Sequence, residues 1–345
     1  MNSGKVPVNV LKRSVLRQLK NKRSEIANSA GLGADCAIFE PFSEGQLVTC
    51  VQEGVVELQC ENDLAEAERE DLSVMPVRRI FQKCANNLAA AGAEPVAAEL
   101  VIFLPETVEE PELKALMEEA ERAATDLNIQ IIGGQTRVSS AVRQPIATVT
   151  GYGILSEAAV TQVSAGKILA GQDIIITKWI GLEGTADLAA RNQEGLLTRY
   201  PAYLVEEAAA FDRYYSILPE AATAVKSGGC TMHDASEGGI FAGLWEMAEG
   251  AGVGLTIDMK KLPLRQETVE VCEYCNVNPY ELRSGGSLII ASPEGTAVVE
   301  ALQAEGIPAT IVGRFIDSND RLILNEDETR YMDRPQRDEI YKETE

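Results

Sequence analysis

Histidine is almost absent from this chain. Of 345 residues only His233 carries an imidazole, so a zinc centre built on several histidines is excluded. Cysteine is sparse and unpaired in number: Cys36, Cys50, Cys60, Cys84, Cys230, Cys272 and Cys275 are seven and dispersed. An odd, scattered set argues against a disulfide framework and for reduced thiols in the cytoplasm. Cys272 and Cys275 form a single C-x-x-C with no second pair and no thioredoxin-like context, so they read as packing or partly exposed cysteines. Basic residues are outnumbered, 31 Lys and Arg against 53 Asp and Glu, for a formal net charge of −22. That leaves no basic surface for nucleic acid or an anionic membrane. A nucleotide is still admissible, because local backbone and one or two cations suffice to hold it. No apolar run approaches the roughly 20 residues of a membrane span. No basic-then-apolar export signal opens the chain, and the expectation is a cytoplasmic protein.

What is present suits a soluble two-domain protein. Hydrophobic residues make up 45% and charged residues 24%, and the length allows two cores. Val10 to Ala30 reads as a basic amphipathic helix followed by a polar loop. Strand-like runs (residues 47–58, 96–104, 129–138, 145–155, 173–177, 255–258) alternate with long helical patterns (72–92, 111–127, 194–218, 240–250). This alternation predicts an α/β or α+β fold. Small residues and two glycines between Ser156 and Gln172 place the boundary there, giving domains 1–160 and 161–345. Tyr200, Tyr203, Phe211, Tyr214 and Tyr215 fall in a helical stretch without interleaved basic residues, the spacing of a core or interface.

The most informative stretch is 232–258, MHDASEGGIFAGLWEMAEGAGVGLTID. Ser236 to Gly239 form a polar turn. Ile240, Phe241, Leu244, Met247 and Ala248 then recur at helical spacing. Two readings are open. The N–H groups of Gly238, Gly239 and the helix start could receive an anionic group, or the glycines could merely let the chain turn and pack. Asp234 stands just before the turn, and His233, beside it, could shuttle a proton or be a hydrogen-bonded structural residue. Similar turns occur at residues 29–39, where Gly33 precedes Asp35, at Gly133–Gly134–Gln135, and at KWIGLEG, which begins with Lys178.

HDASEGGIFAGLWEMAEGAGVGLTID and the following KLPLRQETVEVCEYCNVNPYELRSGGSLIIA resemble the second-domain signature of the aminoimidazole ribonucleotide synthetase (PurM-like) superfamily. That superfamily includes HypE-type hydrogenase maturation factors, selenophosphate synthetase and thiamine monophosphate kinase, and the likeness here is greatest to the HypE-type branch. The resemblance implies a two-domain PurM-like fold. An N-terminal sheet would pair with a second copy in a homodimer, and helices would cover a C-terminal sheet. It implies ATP and Mg²⁺, with Asp35, Glu53 and Asn87 at the metal. Gly33, Gly133, Gly134, Gln135, Lys178, Gly238 and Gly239 would line the nucleotide. Asp234, Glu237 and His233 would carry the chemistry, with Glu237 favouring a cationic substrate or acting as a base.

The pattern also departs from the family. Asn87 and Gln135 are amides where the family places acidic or metal-facing residues, and an amide brings Mg²⁺ no negative charge. The last cysteine is Cys275, so the C-terminal thiol on which the HypE reaction runs is not expected. The expected function is ATP-dependent phosphoryl transfer that activates an oxygen of a small-molecule or protein-borne substrate. The alternative is a dimeric binding or regulatory protein that has lost Mg-ATP chemistry.

Overall fold

The structure is a computed structural model that describes Val8 and residues 26–28, 37–39, 45–58, 74–164, 167–228 and 230–344. It contains two sheets, with a helix shared between them. The first sheet runs β1 (Ile26–Asn28), β2 (Ala37–Phe39), β3 (Gln46–Val56), β7 (Ile146–Leu155), β5 (Glu94–Leu104), β6 (Gln130–Val138), with β4 (Val74–Met75) beside the end of β3. Only β3–β4 and β5–β6 pair in parallel. The strand at 26–28 lies within the region read as helix and polar loop; most of that predicted helix, with Gly33 and Asp35, lies outside the described residues.

Helix α1 (Val77–Ala90) covers one face of this sheet, because Val77, Ile80, Phe81, Cys84, Ala85 and Leu88 fall on one stripe and are buried. Each large apolar side chain in that stripe contributes about 2 kcal/mol by burial. Helix α2 (Glu110–Asp126) packs on α1 and opens with Pro111 and a capping box, Glu112 Oε2 accepting from Glu109 N at 2.7 Å.

Among the described residues, no helix covers the other face of the sheet. Val51, Phe103 and Ile154 there are 52%, 37% and 48% exposed. The register sets Glu53, Thr148, Val101 and Gln135 side by side across β3, β7, β5 and β6.

Gly133 and Gly134 were expected in a turn. The structure instead carries β6 straight through them, and the reason is pairing with β5: a Cβ on Gly134 would lie 1.8 Å from Leu100 O. Glycine there admits a neighbouring strand. The bulge sits one residue earlier, between the pairs Ala98–Ile131 and Glu99–Gly133.

After α3 (Glu157–Ser164), the second sheet runs β14 (Glu328–Tyr331), β13 (Arg321–Asn325), β10 (Gly254–Asp258), β12 (Ala309–Ile316), β8 (Asp173–Thr177), β11 (Leu288–Ser292), β9 (Thr231–Asp234). β8 reads DIIIT and is buried on both faces, so it lacks polar alternation. One face meets α8 (Gly239–Ala251). The other meets α7 (Leu218–Lys226), α10 (Gly295–Ala304) and the end of α1, where Ala89 and Ala90 join the second core. The long helical pattern at 194–218 is broken into α5 (Gln193–Arg199), α6 (Ala202–Ala209) and a 3-10 turn, since Pro201 cannot continue α5. α4 (Leu182–Arg191) and α9 (Gln266–Cys275) complete this layer.

Candidate functional site at the junction of the two sheets

Three glycine segments far apart in sequence meet beside β8, β9 and β11. Gly181, left-handed at φ 71°, opens α4, and its N–H donates to Ser284 Oγ at 2.8 Å. Ser284 N donates to Ser236 O at 3.0 Å, and Ala235 N to Ser287 O at 3.2 Å. Thus KWIGLEG, HDASEGG and RSGGS lock together through their backbones. Gly285 must lack a side chain, because a Cβ would come within 2.3 Å of Glu183 Oε2.

Charge from the first sheet's helix enters here. Lys83 Nζ lies 2.8 Å from Glu183 Oε1, and Arg79 Nη1 lies 2.7 Å from Asp187 Oδ1. Arg283, buried, stands 3.9 Å from Asp187. Burial pushes the Glu183 carboxyl up, but Lys83, Arg283 and Arg79 overcome it and hold the group down to about 2. Asn86 Nδ2 donates to Tyr215 O at 2.7 Å, and Asn86 Oδ1 accepts from Ile217 N at 3.2 Å and from Gln82 Nε2 at 2.8 Å. Asn87, read as a metal-facing residue, is half-buried on α1, while its neighbour Asn86 is a buried fastener between the sheets.

Lys178, in a left-handed conformation at φ 52°, is also committed. Its Nζ lies 2.6 Å from Glu220 Oε1 and donates to Tyr214 O at 2.9 Å and Ser216 O at 2.6 Å. Burial lowers its pKa, while Glu220 and Asp234 pull it back up. Three acceptors engage all three N–H donors, leaving none for a phosphate.

The expected catalytic set is not gathered at one point. His233 and Asp234 are adjacent in β9, so strand alternation sends them to opposite faces. His233 lies level with Ile289 in the α8 layer, its Nε2 3.4 Å from Glu246 Oε2 on that helix. Asp234 lies level with Leu288 in the α1–α7 layer, near Lys178. Glu237 is half-buried at the turn.

The turn itself is filled from within. Gly238, at φ 82°, caps α8, and its N–H donates to Asp338 Oδ2 at 2.6 Å. Phe241 N donates to Tyr280 O at 3.1 Å, and a Cβ on Gly239 would lie 2.6 Å from Leu282 O. Asp338 is the residue at this turn that motif reading missed. Its only sequence signal is the apolar pair Ile340–Tyr341 in a polar tail, and both residues are buried against Leu282 and Cys272.

The metal set does not assemble among the described residues. Glu53 is exposed on the helix-free face of the first sheet, whereas Asn87 belongs to α1 on the other face. Gln135 shares the Glu53 face but stands three strand spacings away, roughly 14 Å. No group of three or more His, Cys, Asp or Glu among the described residues could hold a metal ion. Cys272 is buried and Cys275 half-buried, as packing residues are.

A mixed two-sheet α/β protein joined at a glycine-rich, charge-lined junction is the class this geometry defines. Residues 78–155 match the AIR synthase related protein N-terminal domain, and residues 170–325 match the corresponding C-terminal domain. The chain belongs to the AIR synthase-related, PurM-like superfamily. It is 29% identical over 237 residues to a carbamoyl dehydratase HypE of Rhodobacter capsulatus, an alignment spanning 67% of each chain. Its fold resembles that of HypE in a HypE–HypF complex, with a TM-score of 0.68, 20% identity, and 88% of this chain and 94% of that one covered. It likewise resembles a hydrogenase maturation protein HypE in complex with ATP, with a TM-score of 0.67 and 17% identity over 98% and 97% of the two chains. No helix among the described residues is long and apolar enough to cross a membrane.

Proposed function

We propose that this chain is a HypE-like, ATP-binding protein that activates a substrate oxygen by phosphoryl transfer. The γ-phosphoryl group would pass to a carbonyl, amide or acid oxygen of a small-molecule or protein-borne substrate, releasing ADP. The observation that carries this reading is 29% identity to a carbamoyl dehydratase HypE over 237 residues, and it is supported by the three glycine segments that meet at the junction. Glu237 faces the substrate from the start of α8. Asp35 supplies a carboxylate for Mg²⁺, a role that Glu53 and Asn87, on opposite sides of a sheet, do not share within one chain. A second copy covers the helix-free face of the first sheet, where Val51, Phe103 and Ile154 are exposed.

A dimeric binding protein without Mg-ATP chemistry is the second reading. It is favoured by Asn87 and Gln135 in place of acidic residues and by the Asp338 carboxylate inside the α8 turn.

Calorimetric titration of ATP with and without Mg²⁺, followed by phosphate release, separates the two. Magnesium-dependent binding that Asp35→Asn weakens supports the enzyme. Absence of binding by ATP, ADP or AMP at millimolar concentration overturns it in favour of the dimeric binding protein.

A further inference from the structure

Two thiols of the first core face each other from different elements. Cys50 lies on β3 and Cys84 on α1, and their Sγ atoms stand 3.4 Å apart. Cys50 Sγ also donates to Cys84 O at 3.3 Å. Neither cysteine is in a disulfide. Gly151, which pairs with Cys50 across β3 and β7, makes the room for them. A Cβ on Gly151 would lie 2.4 Å from Cys84 Sγ and 3.7 Å from Cys50 Sγ. A disulfide holds its sulfurs about 2.05 Å apart, so bonding needs a combined shift of about 1.4 Å, which side-chain rotation can supply.

The two sulfurs are not equivalent. Cys50 is 6% exposed and Cys84 1%. The hydrogen bond with Cys50 and burial both push the Cys84 thiol up. The thiolate is the nucleophile, so Cys84 is the weaker initiator as well as the better concealed. A bond between the two sulfurs would hold α1. That helix carries Arg79, Lys83 and Asn86 to the junction with the second sheet, and Cys84 directly follows Lys83.

We propose that Cys50 and Cys84 are an oxidation-sensitive pair that a peroxide converts to a disulfide, pinning α1 to β3 and fixing the groups that α1 delivers to the junction. Cys50 Sγ takes one oxygen from hydrogen peroxide and becomes a sulfenic acid, and the other oxygen leaves as water. Cys84 Sγ then attacks Cys50 Sγ. The S–O bond breaks, the S–S bond forms, and the hydroxyl departs with the Cys84 proton as a second water. The two sulfurs give up two electrons, and one peroxide is reduced to two waters.

The test treats the full chain with hydrogen peroxide, alkylates the remaining thiols in denaturant and cleaves after glutamate. Cys50 then lies in peptide 45–53 and Cys84 in 71–99, each as the only cysteine. The expected product is these two peptides joined by a disulfide in most molecules, and absent from protein kept in dithiothreitol. This measurement uses the unsubstituted protein, so it stands even if a variant fails to fold. The oxidised protein should also melt about 5 °C or more above the reduced protein, because the bond ties together positions 34 apart in the unfolded chain. Cys50→Ala and Cys84→Ala should each abolish that rise. Recovery of both cysteines alkylated, Cys50 as a sulfinic acid, or Cys50 joined to another cysteine would each overturn the pair. A midpoint rise that persists in folded Cys84→Ala would do the same. A linked pair with no rise in midpoint would overturn the pinning of α1.

Discussion

Lys83 Nζ, on the helix that covers the first sheet, stands 2.8 Å from Glu183 Oε1 on the first helix of the second, and the glutamate is 1% exposed. Replacing Glu183 with Gln takes the carboxylate partner from Lys83 and leaves Arg283 only Asp187 and Asp338 as counter-charges, in a site with little water. Removing one member of a buried pair costs about 3–5 kcal/mol. Denaturant unfolding should show a loss of that size for Glu183→Gln. A double-mutant cycle with Lys83→Met should return part of it. An additive cycle would show that the two helices are not joined through this pair.

The same pair fixes a pH dependence. Glu183 titrates near 4.5 when free and at about 2 in the folded protein. Its contribution is therefore fully present above about 4.5 and is lost as pH falls from there through about 2. Stability measured from pH 7 downward should decline in that window, and Glu183→Gln should flatten the decline. An identical profile in the variant would remove Glu183 from the acid transition.

Asn86 makes three hydrogen bonds across or along the junction. Asn86→Ala strands Tyr215 O and Ile217 N in a buried site, each left unsatisfied at about 1–3 kcal/mol. The variant should lose about 2–6 kcal/mol in chemical denaturation. Asn87→Ala, from a half-buried position, should lose less. A reversed order would contradict the placement of the two amides.

Gly285 faces Glu183 Oε2 with no room for a methyl group. Gly285→Ala should destabilise by about 1–3 kcal/mol through the forced shift. Combining it with Glu183→Ala should relieve part of that cost, as thermal unfolding of the pair would register.

Val51→Glu and Phe103→Glu place charge on the helix-free face of the first sheet. Each should raise the monomer fraction in sedimentation equilibrium while leaving the far-ultraviolet circular dichroism unchanged. A monomeric unsubstituted protein, or a dimer indifferent to both changes, would refute pairing through this face.

The local elements were legible in the residues because their causes are local. The stripe of Val77, Ile80, Phe81, Cys84 and Leu88 makes α1 amphipathic in any context. DIIIT can only be a strand buried on both faces, and Gly181 and Gly238 supply the positive φ that starts α4 and α8. The resemblance carried by HDASEGG and RSGGS identified the superfamily for the same reason, since motif spacing is a property of the chain. The roles of single side chains were less legible. Asn86 and Asn87 are chemically alike, and only helix phase against the second sheet distinguishes the fastener from its half-buried neighbour. Gly133–Gly134 has the composition of a phosphate turn, yet pairing with β5 made it part of a strand.

By itself, then, the sequence determined the alternation of strands and helices, the glycine turns and the superfamily, because periodicity and backbone freedom act over a few residues. Tertiary structure decided what those turns face. It sent His233 and Asp234 to opposite sides of one strand, put a sheet between Glu53 and Asn87, and brought Asp338 across 100 residues to Gly238. These outcomes depend on register and long-range packing, which no local pattern encodes, because an N–H at a helix start donates to whichever acceptor the rest of the chain delivers to it.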